Sequence, residues 1–378
     1  MIPYSHQSID KDDVAAVVRV LKSDFLTQGP KVKEFEEVLA KKTGAKFAVA
    51  FSSGTAALEA AFAAAGIQKG DEIITSPLTF AATTNAVLWT GAKVVFADVE
   101  AETGTLDPAM VARKITSRTK VIVPVDYAGF PAHLHELRKL AKRHGLIFIE
   151  DAAHSLGAVY RGRRIGGLSD MTMFSFHPVK SITTGEGGAI TTNNKKYLAK
   201  LIRFREHGIT KDTHLFVRKN QGDWYHEMQE LGHNYRLTDL QAALGLSQLN
   251  KLERFIKARR ALAEHYTEAF AHNPNLIPPV EGRDRQSSWH LYPLRLAKRL
   301  VPKRAEIFRK LRQRGIGVQV HYIPVYLHPY YQKLGYKKGL CQNAEAFYEA
   351  EVSIPLYPDL SRKDQDFVIK TIHELTEL

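Results

Sequence analysis

The sequence predicts an α/β fold in which a mostly parallel sheet is covered by helices on both faces. Three observations carry this expectation. Short β-rich runs recur through the N-terminal half of the chain, and helical stretches separate most of them. The runs are apolar nearly throughout, as strands buried on both faces must be.

The runs fall at 47–51, 72–75, 93–98, 120–125, 146–151, 171–176 and 189–192, with helices such as 55–65, 107–114 and 133–144 between them. Ligands on such sheets bind at the carboxyl ends of strands. Chemistry is therefore expected at 52–55, 151–154 and 175–180. After Asn234-Tyr235-Arg236-Leu237-Thr238-Asp239 the spacing predicts a long helix over about 240–270, with Thr238 or Asp239 as its cap. Asn273-Pro274 and Pro278-Pro279 punctuate its exit. The remainder reads as a smaller α/β region: a strand at 289–296, a helix at 304–314, a strand at 318–322 and a final helix from Lys363. A large domain over 1–240 and a smaller one over 241–378 follow.

The 378 residues are 44% hydrophobic and 25% charged, an ordinary globular composition. Residues 1–13 are polar and mixed in charge, and the most apolar helical stretch, 56–65, is short and carries Glu59. Neither secretion nor a membrane span is expected, and the reading is cytoplasmic. The single cysteine, Cys341, excludes an intramolecular disulfide and a cysteine-based metal cluster. His133, His135 and His321 lack a third ligand at metal spacing, so no metal is expected. A net charge of +13 asks for an anionic partner. Nucleic acid would satisfy it, as would a phosphorylated small molecule or a sugar nucleotide. The basic patches 251–260 and 298–314 alternate with apolar residues at helical spacing, and no nucleic-acid motif lies near them.

Four local features bear on a ligand. Ser175-Phe176-His177-Pro178-Val179-Lys180 sets a lysine at the end of an apolar run, ahead of Gly185-Glu186-Gly187-Gly188. A partly desolvated ammonium loses its proton more easily, and a free amine attacks carbonyls such as the aldehyde of pyridoxal 5′-phosphate (PLP). The same position also suits a strand-end lysine reaching water. Ser52-Ser53-Gly54-Thr55 precedes an Ala-rich helix, where it could hold an anion or simply cap the helix. Asp151 could keep a pyridinium nitrogen protonated, or merely end its strand. Phe80 is a ring-stacking candidate or a core aromatic.

In this order and spacing, Leu26-Thr27-Gln28-Gly29-Pro30, Ser52-Ser53-Gly54-Thr55-Ala56-Ala57-Leu58, Glu150-Asp151-Ala152-Ala153-His154, 174–180, 185–188 and Asn234-Tyr235-Arg236 resemble the PLP-dependent sugar aminotransferases of the DegT/DnrJ/EryC1/StrS family. The resemblance runs over essentially the whole chain. It implies the PLP-dependent transferase fold type I, aspartate aminotransferase-like, with a smaller C-terminal α/β domain. It also implies that Lys180 bonds covalently to PLP and shuttles protons, that Asp151 pairs with the ring nitrogen, that His154 lies near the ring hydroxyl and that Phe80 stacks on the ring. Thr55, Ala56 and Ser175 would hold the phosphate. Asn234 matches a residue serving the neighbouring subunit's phosphate, which implies a homodimer with shared sites. Leu26, Thr27, Gln28 and His321 are the expected substrate contacts.

Val125-Asp126-Tyr127-Ala128-Gly129, Ser175-Phe176-His177-Pro178-Val179-Lys180, Glu230-Leu231-Gly232-His233-Asn234-Tyr235-Arg236 and Val320-His321-Tyr322-Ile323-Pro324 are further similar to one branch of that family. Its members use L-glutamate, releasing 2-oxoglutarate, to aminate C4 of a UDP-linked 4-keto-6-deoxy-N-acetyl hexose. The product is UDP-4-amino-4,6-dideoxy-N-acetyl-β-L-altrosamine, on the way to pseudaminic acid. The alternative is an aminotransferase for another UDP- or dTDP-linked keto sugar, at C3 or C4. Relatives that dehydrate sugars carry histidine where Lys180 stands, so the lysine favours transamination.

Overall fold

The computed structural model describes residues 1–377. Its centre is a sheet of seven strands: β1 (Phe47–Phe51), β2 (Glu72–Thr75), β3 (Lys93–Phe96), β4 (Thr119–Val123), β5 (Ile147–Asp151), β6 (Met171–Ser175) and β7 (Gly188–Thr192). The spatial order is β1-β7-β6-β5-β4-β2-β3. Pairs β6–β5, β5–β4, β4–β2 and β2–β3 are parallel, whereas β7 runs antiparallel to both its neighbours. Six strands therefore share one direction and β7 opposes them.

Alternate residues on each strand feed two cores. Val49, Phe51, Ile73, Val121, Val123, Ile149, Met171 and Met173 pack with the Ala-rich helix α3 (Gly54–Ala65). Ala48, Ala50, Ile74, Ile122, Phe148 and Phe174 face the other way, onto Leu137 of helix Leu134–Arg143 and onto Phe35 and Leu39 of α2 (Pro30–Thr43), which follows α1 (Lys11–Leu21). With both faces covered, the strands have no reason to alternate apolar with polar residues.

The turn from β1 into α3 is tight. The Ser53 hydroxyl oxygen accepts the Ala56 N–H at 3.1 Å, and α3 ends at Gly66 with φ 74°. The start of β7 packs directly on this turn. A Cβ on Gly188 would stand 2.6 Å from both Gly54 N and Ser53 O, so only glycine permits the approach.

The long helix, Asp239–Phe270, spans 32 residues and begins with a reciprocal cap between Thr238 and Gln241. Leu249, Leu252 and Phe255 lie in the second core, while Ala263, Tyr266 and Phe270 belong to a third with Tyr292, Ile307, Val352 and Ile372. That third core lies under a small antiparallel sheet of Leu276–Ile277, Tyr292–Leu296 and Glu351–Ile354. Helices Arg304–Gln313 and Arg362–Thr376 cover it. The segment between Arg304–Gln313 and Glu351–Ile354 returns to the first core through Val325, Tyr326, Tyr331 and Phe347.

The strand expected at 318–322 does not form. Gln319 makes an isolated bridge to Ser353, and the ladder stops because the His321 N–H is taken by the Glu351 carboxylate at 2.8 Å. The strand expected at 289–296 is confined to Tyr292–Leu296. No helix of the described residues is long and apolar enough to cross a membrane.

One buried carboxylate ties the long helix to the start of α2. Asp239 accepts the N–H groups of Gly29 and Lys31, each at 2.7 Å. Asp239→Ala should strand both amides and lower stability by about 3 kcal/mol. Urea titration should show this as a lower midpoint with an unchanged slope. Asp239→Asn, which keeps one acceptor, should lose less; wild-type midpoints in both variants would refute the anchor.

Candidate cofactor site

Lys180 lies in the turn after β6. Its backbone N–H bonds to His177 O at 2.9 Å, and Thr183 Oγ1 and the Thr184 N–H both return to Phe176 O at 3.1 Å. This closes the loop and leaves the lysine side chain half-buried at the carboxyl edge of the sheet. Two influences act on its amine. Burial lowers the pKa, and the Asp151 charge pulls part of the way back, leaving it at about 8.

Asp151 ends β5, the strand beside β6, and is 4% exposed. Its Oδ1 accepts the Ala153 N–H at 3.1 Å and its Oδ2 accepts the Thr83 hydroxyl at 2.6 Å. Burial pushes this carboxyl up, while Thr83, Ala153 and the Lys180 charge act in the opposite direction.

His154 follows one turn later and is buried. Its Nε2 lies 3.0 Å from the Tyr322 hydroxyl, and its ring stands 4.2 Å from that of His290. Burial, reinforced by the charges of Lys180 and His321, holds the imidazole well below the usual histidine range, so it is neutral at pH 7. Among the described residues its Nδ1 has no hydrogen-bond partner. Phe80, at the start of α4 (Ala81–Trp89), is 64% exposed, with its ring 6.3 Å from that of Tyr322.

The first turn of α3 abuts Ser175, for a Cβ on Gly54 would sit 3.2 Å from Ser175 Cβ. Thr55 and Ser175 are half-buried here. The Ala56 N–H is already engaged by Ser53, so the amides without an intrahelical acceptor are those of Gly54 and Thr55.

Of the remaining expected contacts, Leu26, Thr27, Gln28 and Asn234 lie apart from this group within the chain, whereas His321 adjoins Tyr322, the partner of His154. Leu26 O accepts the Asp239 N–H at 3.0 Å, Thr27 bridges to Thr238, and Gln28 takes φ 56°. Only an indirect tie reaches the Lys180 loop, from Gln241 Nε2 to Glu186 O at 2.8 Å. Asn234 is exposed and bridges to Glu206, beside Tyr235, whose carbonyl accepts the Ser52 N–H at 2.8 Å. The His321 ring is buried, with Nδ1 2.8 Å from Ser353 Oγ, and its carbonyl accepts the Tyr127 hydroxyl. Thr83, His290 and Tyr322 were not singled out by sequence reasoning. Only Thr83 carried a signal, its helical spacing of three from Phe80.

These residues fit PLP. An amine of lowered pKa matches the aldehyde, a buried carboxylate the ring nitrogen, an open aromatic face the ring, and an unpartnered imidazole nitrogen the ring hydroxyl. A helix start flanked by hydroxyls matches the phosphate. The fold is that of the PLP-dependent transferases of fold type I. The chain belongs to the DegT/DnrJ/EryC1/StrS aminotransferase family, whose model matches residues 7–373, and its cofactor is PLP.

The chain is 41% identical to the spore coat polysaccharide biosynthesis protein SpsC of Bacillus subtilis, across 100% of this chain and 97% of that one. It is equally 41% identical to the UDP-4-amino-4,6-dideoxy-N-acetyl-beta-L-altrosamine transaminase of Campylobacter jejuni, across 100% and 98%. Among solved structures it resembles Helicobacter pylori PseC, an aminotransferase involved in the biosynthesis of pseudoaminic acid. That match has a TM-score of 0.93 and 36% identity over 100% of this chain and 99% of that one.

The lowered lysine pKa is directly measurable. In the cofactor-free protein an amine-directed reagent should label Lys180 with a midpoint near pH 8. About one amine in ten is then neutral at pH 7 and about nine in ten at pH 9. Asp151 raises this pKa, so Asp151→Asn should shift the midpoint downward. A midpoint near the ordinary lysine value, or an upward shift in the variant, contradicts the geometry.

Proposed function

We propose that this protein transfers the amino group of L-glutamate to C4 of a UDP-linked 4-keto-6-deoxy-N-acetyl hexose, giving UDP-4-amino-4,6-dideoxy-N-acetyl-β-L-altrosamine and 2-oxoglutarate. The observation that carries the chemistry is the half-buried Lys180 with its pKa near 8, beside the buried Asp151. The full-length identity to the Campylobacter jejuni transaminase supports the sugar.

When bound, PLP supplies an aldehyde that takes up an amino group and a ring that accepts electrons from the reacting carbon. Lys180 would hold the cofactor covalently, and its Nζ would move a proton to and from the reacting carbon, a task suited by a pKa near the working pH. Asp151 would serve the ring nitrogen as an acceptor. Phe80 would cover the ring, and neutral His154 would serve the ring hydroxyl through its Nδ1. Thr55 and Ser175 would hold the phosphate at the start of α3, Ala56 keeping that turn small. Leu26, Thr27, Gln28 and His321 contact the substrate.

In this reading the chain has a large cofactor domain, 1–240, and a smaller one, 241–378. It acts as a homodimer in which Asn234 of the partner subunit completes each phosphate site; the exposed Asn234 side chain supports this. A second reading, an aminotransferase for a different keto-sugar nucleotide, draws support from the equal identity to SpsC.

The sugar is tested by presenting the UDP-linked β-L-arabino and D-xylo 4-keto epimers with glutamate. Higher kcat/KM is expected for the L-arabino sugar; equal or reversed values favour the second reading while leaving transamination intact. Assembly is tested by mixing two inactive proteins, Lys180→Ala and an Asn234 variant. Hybrid dimers should recover partial activity, because one of their two sites is complete. No recovery despite confirmed subunit exchange removes Asn234 from the partner's site.

A further inference from the structure

Asp151 is gripped from a direction that the local sequence around it does not reveal. Helix α4 follows β2, and its first turn carries Thr83, buried at 1% exposure. The Thr83 hydroxyl is 2.6 Å from Asp151 Oδ2, and its other neighbour is the hydroxyl of Thr79 at 2.7 Å, also buried. An ionised carboxylate can only accept hydrogen bonds, and a hydroxyl has one proton to give. With Asp151 ionised, the direction is therefore fixed: Thr79 donates to Thr83, and Thr83 donates to Asp151. Each link polarises the next.

This chain of donors has a purpose at a buried carboxylate. A buried carboxylate tends to take up a proton, and a protonated Asp151 could no longer hold a proton on a cofactor ring nitrogen. The Ala153 N–H serves Oδ1 and Thr83 serves Oδ2, one donor for each oxygen. The two donors fix the carboxylate plane as well as its charge. The same helix turn presents Phe80 at its start, so α4 sets the aromatic face and the carboxylate together.

We propose that Thr83, backed by Thr79, is a positioning residue that keeps Asp151 ionised and oriented toward the cofactor's ring nitrogen. This rests on the reading of Asp151 as the partner of that nitrogen. The burial of Asp151 makes the hydroxyl matter, since it opposes the rise in carboxyl pKa that burial causes.

The test compares two cofactors in one tube. Cofactor-free protein is given an equal mixture of PLP and 1-deaza-PLP, in which the ring nitrogen is a carbon. Borohydride then fixes whatever has bonded, and mass spectrometry counts the two adducts on Lys180. Only folded protein binds specifically, and the ratio is independent of activity. Wild type should prefer PLP by about tenfold or more, the scale of a charged hydrogen bond. Thr83→Val keeps the shape and loses the hydroxyl; the preference should shrink at least about threefold, with Thr83→Ser restoring it to within about twofold. Thr79→Val should shift the ratio the same way by less. A Thr83→Val preference equal to wild type, whether or not total binding falls, overturns the role of Thr83 while sparing that of Asp151. Absence of any preference in wild type overturns the Asp151 reading and this proposal with it.

Discussion

The site depends on an amine and a carboxylate held in each other's field where water is largely excluded. Lys180 lies in the turn after β6 and Asp151 ends the adjoining strand β5, and burial acts against the charge on both. Their mutual attraction acts the other way, without winning outright for the lysine. A fully solvated pair would show neither perturbation, and an intimate buried ion pair would hold the lysine proton firmly. The intermediate state leaves an amine that exchanges its proton near neutral pH. Everything around the pair maintains that state: the closed loop behind Lys180, the Thr83 and Ala153 donors on Asp151, and the two apolar cores that pin the strand ends.

The C-terminal part of the chain reaches the same place through a polar network. Glu351 and Ser353, on the small sheet, hold the His321 N–H and ring, and the Tyr127 hydroxyl holds the His321 carbonyl. Burial pushes the Glu351 carboxyl up to about 8. The next residue, Tyr322, reaches His154 with its hydroxyl. The failed strand at 318–322 is thus the origin of a site element, because the groups that would have continued the ladder bond to side chains. Arg259, buried on the long helix, holds the carbonyls of His290 and Leu356 from behind. The long helix thereby links the third core to the surroundings of His154.

Much of the fold was legible along the chain. Apolar runs near 47–51, 72–75 and 146–151 became strands because both sheet faces are covered, and the Thr238 cap opens the long helix where its local chemistry indicates. Strand direction was less legible. β7 runs antiparallel and starts at Gly188, packed against Gly54, a contact between residues far apart in sequence. Within the site, Lys180 and Asp151 stood out because each ends an apolar run, and His154 entered through the family resemblance. Tyr322 did not stand out, since one tyrosine after a histidine looks like any other, and Thr83 offered only its helical spacing from Phe80.

By itself, then, the sequence determined the α/β class, the family membership and the side chains available at the strand ends, because periodicity, caps and motif spacing are local properties. Only the tertiary structure decided which of those side chains lose water and which partners they keep. The lysine pKa near 8, the donors on Asp151 and the open Nδ1 of His154 all arise from groups brought together across long separations. Desolvation and hydrogen bonding depend on the whole surrounding volume, and no stretch of sequence contains that volume.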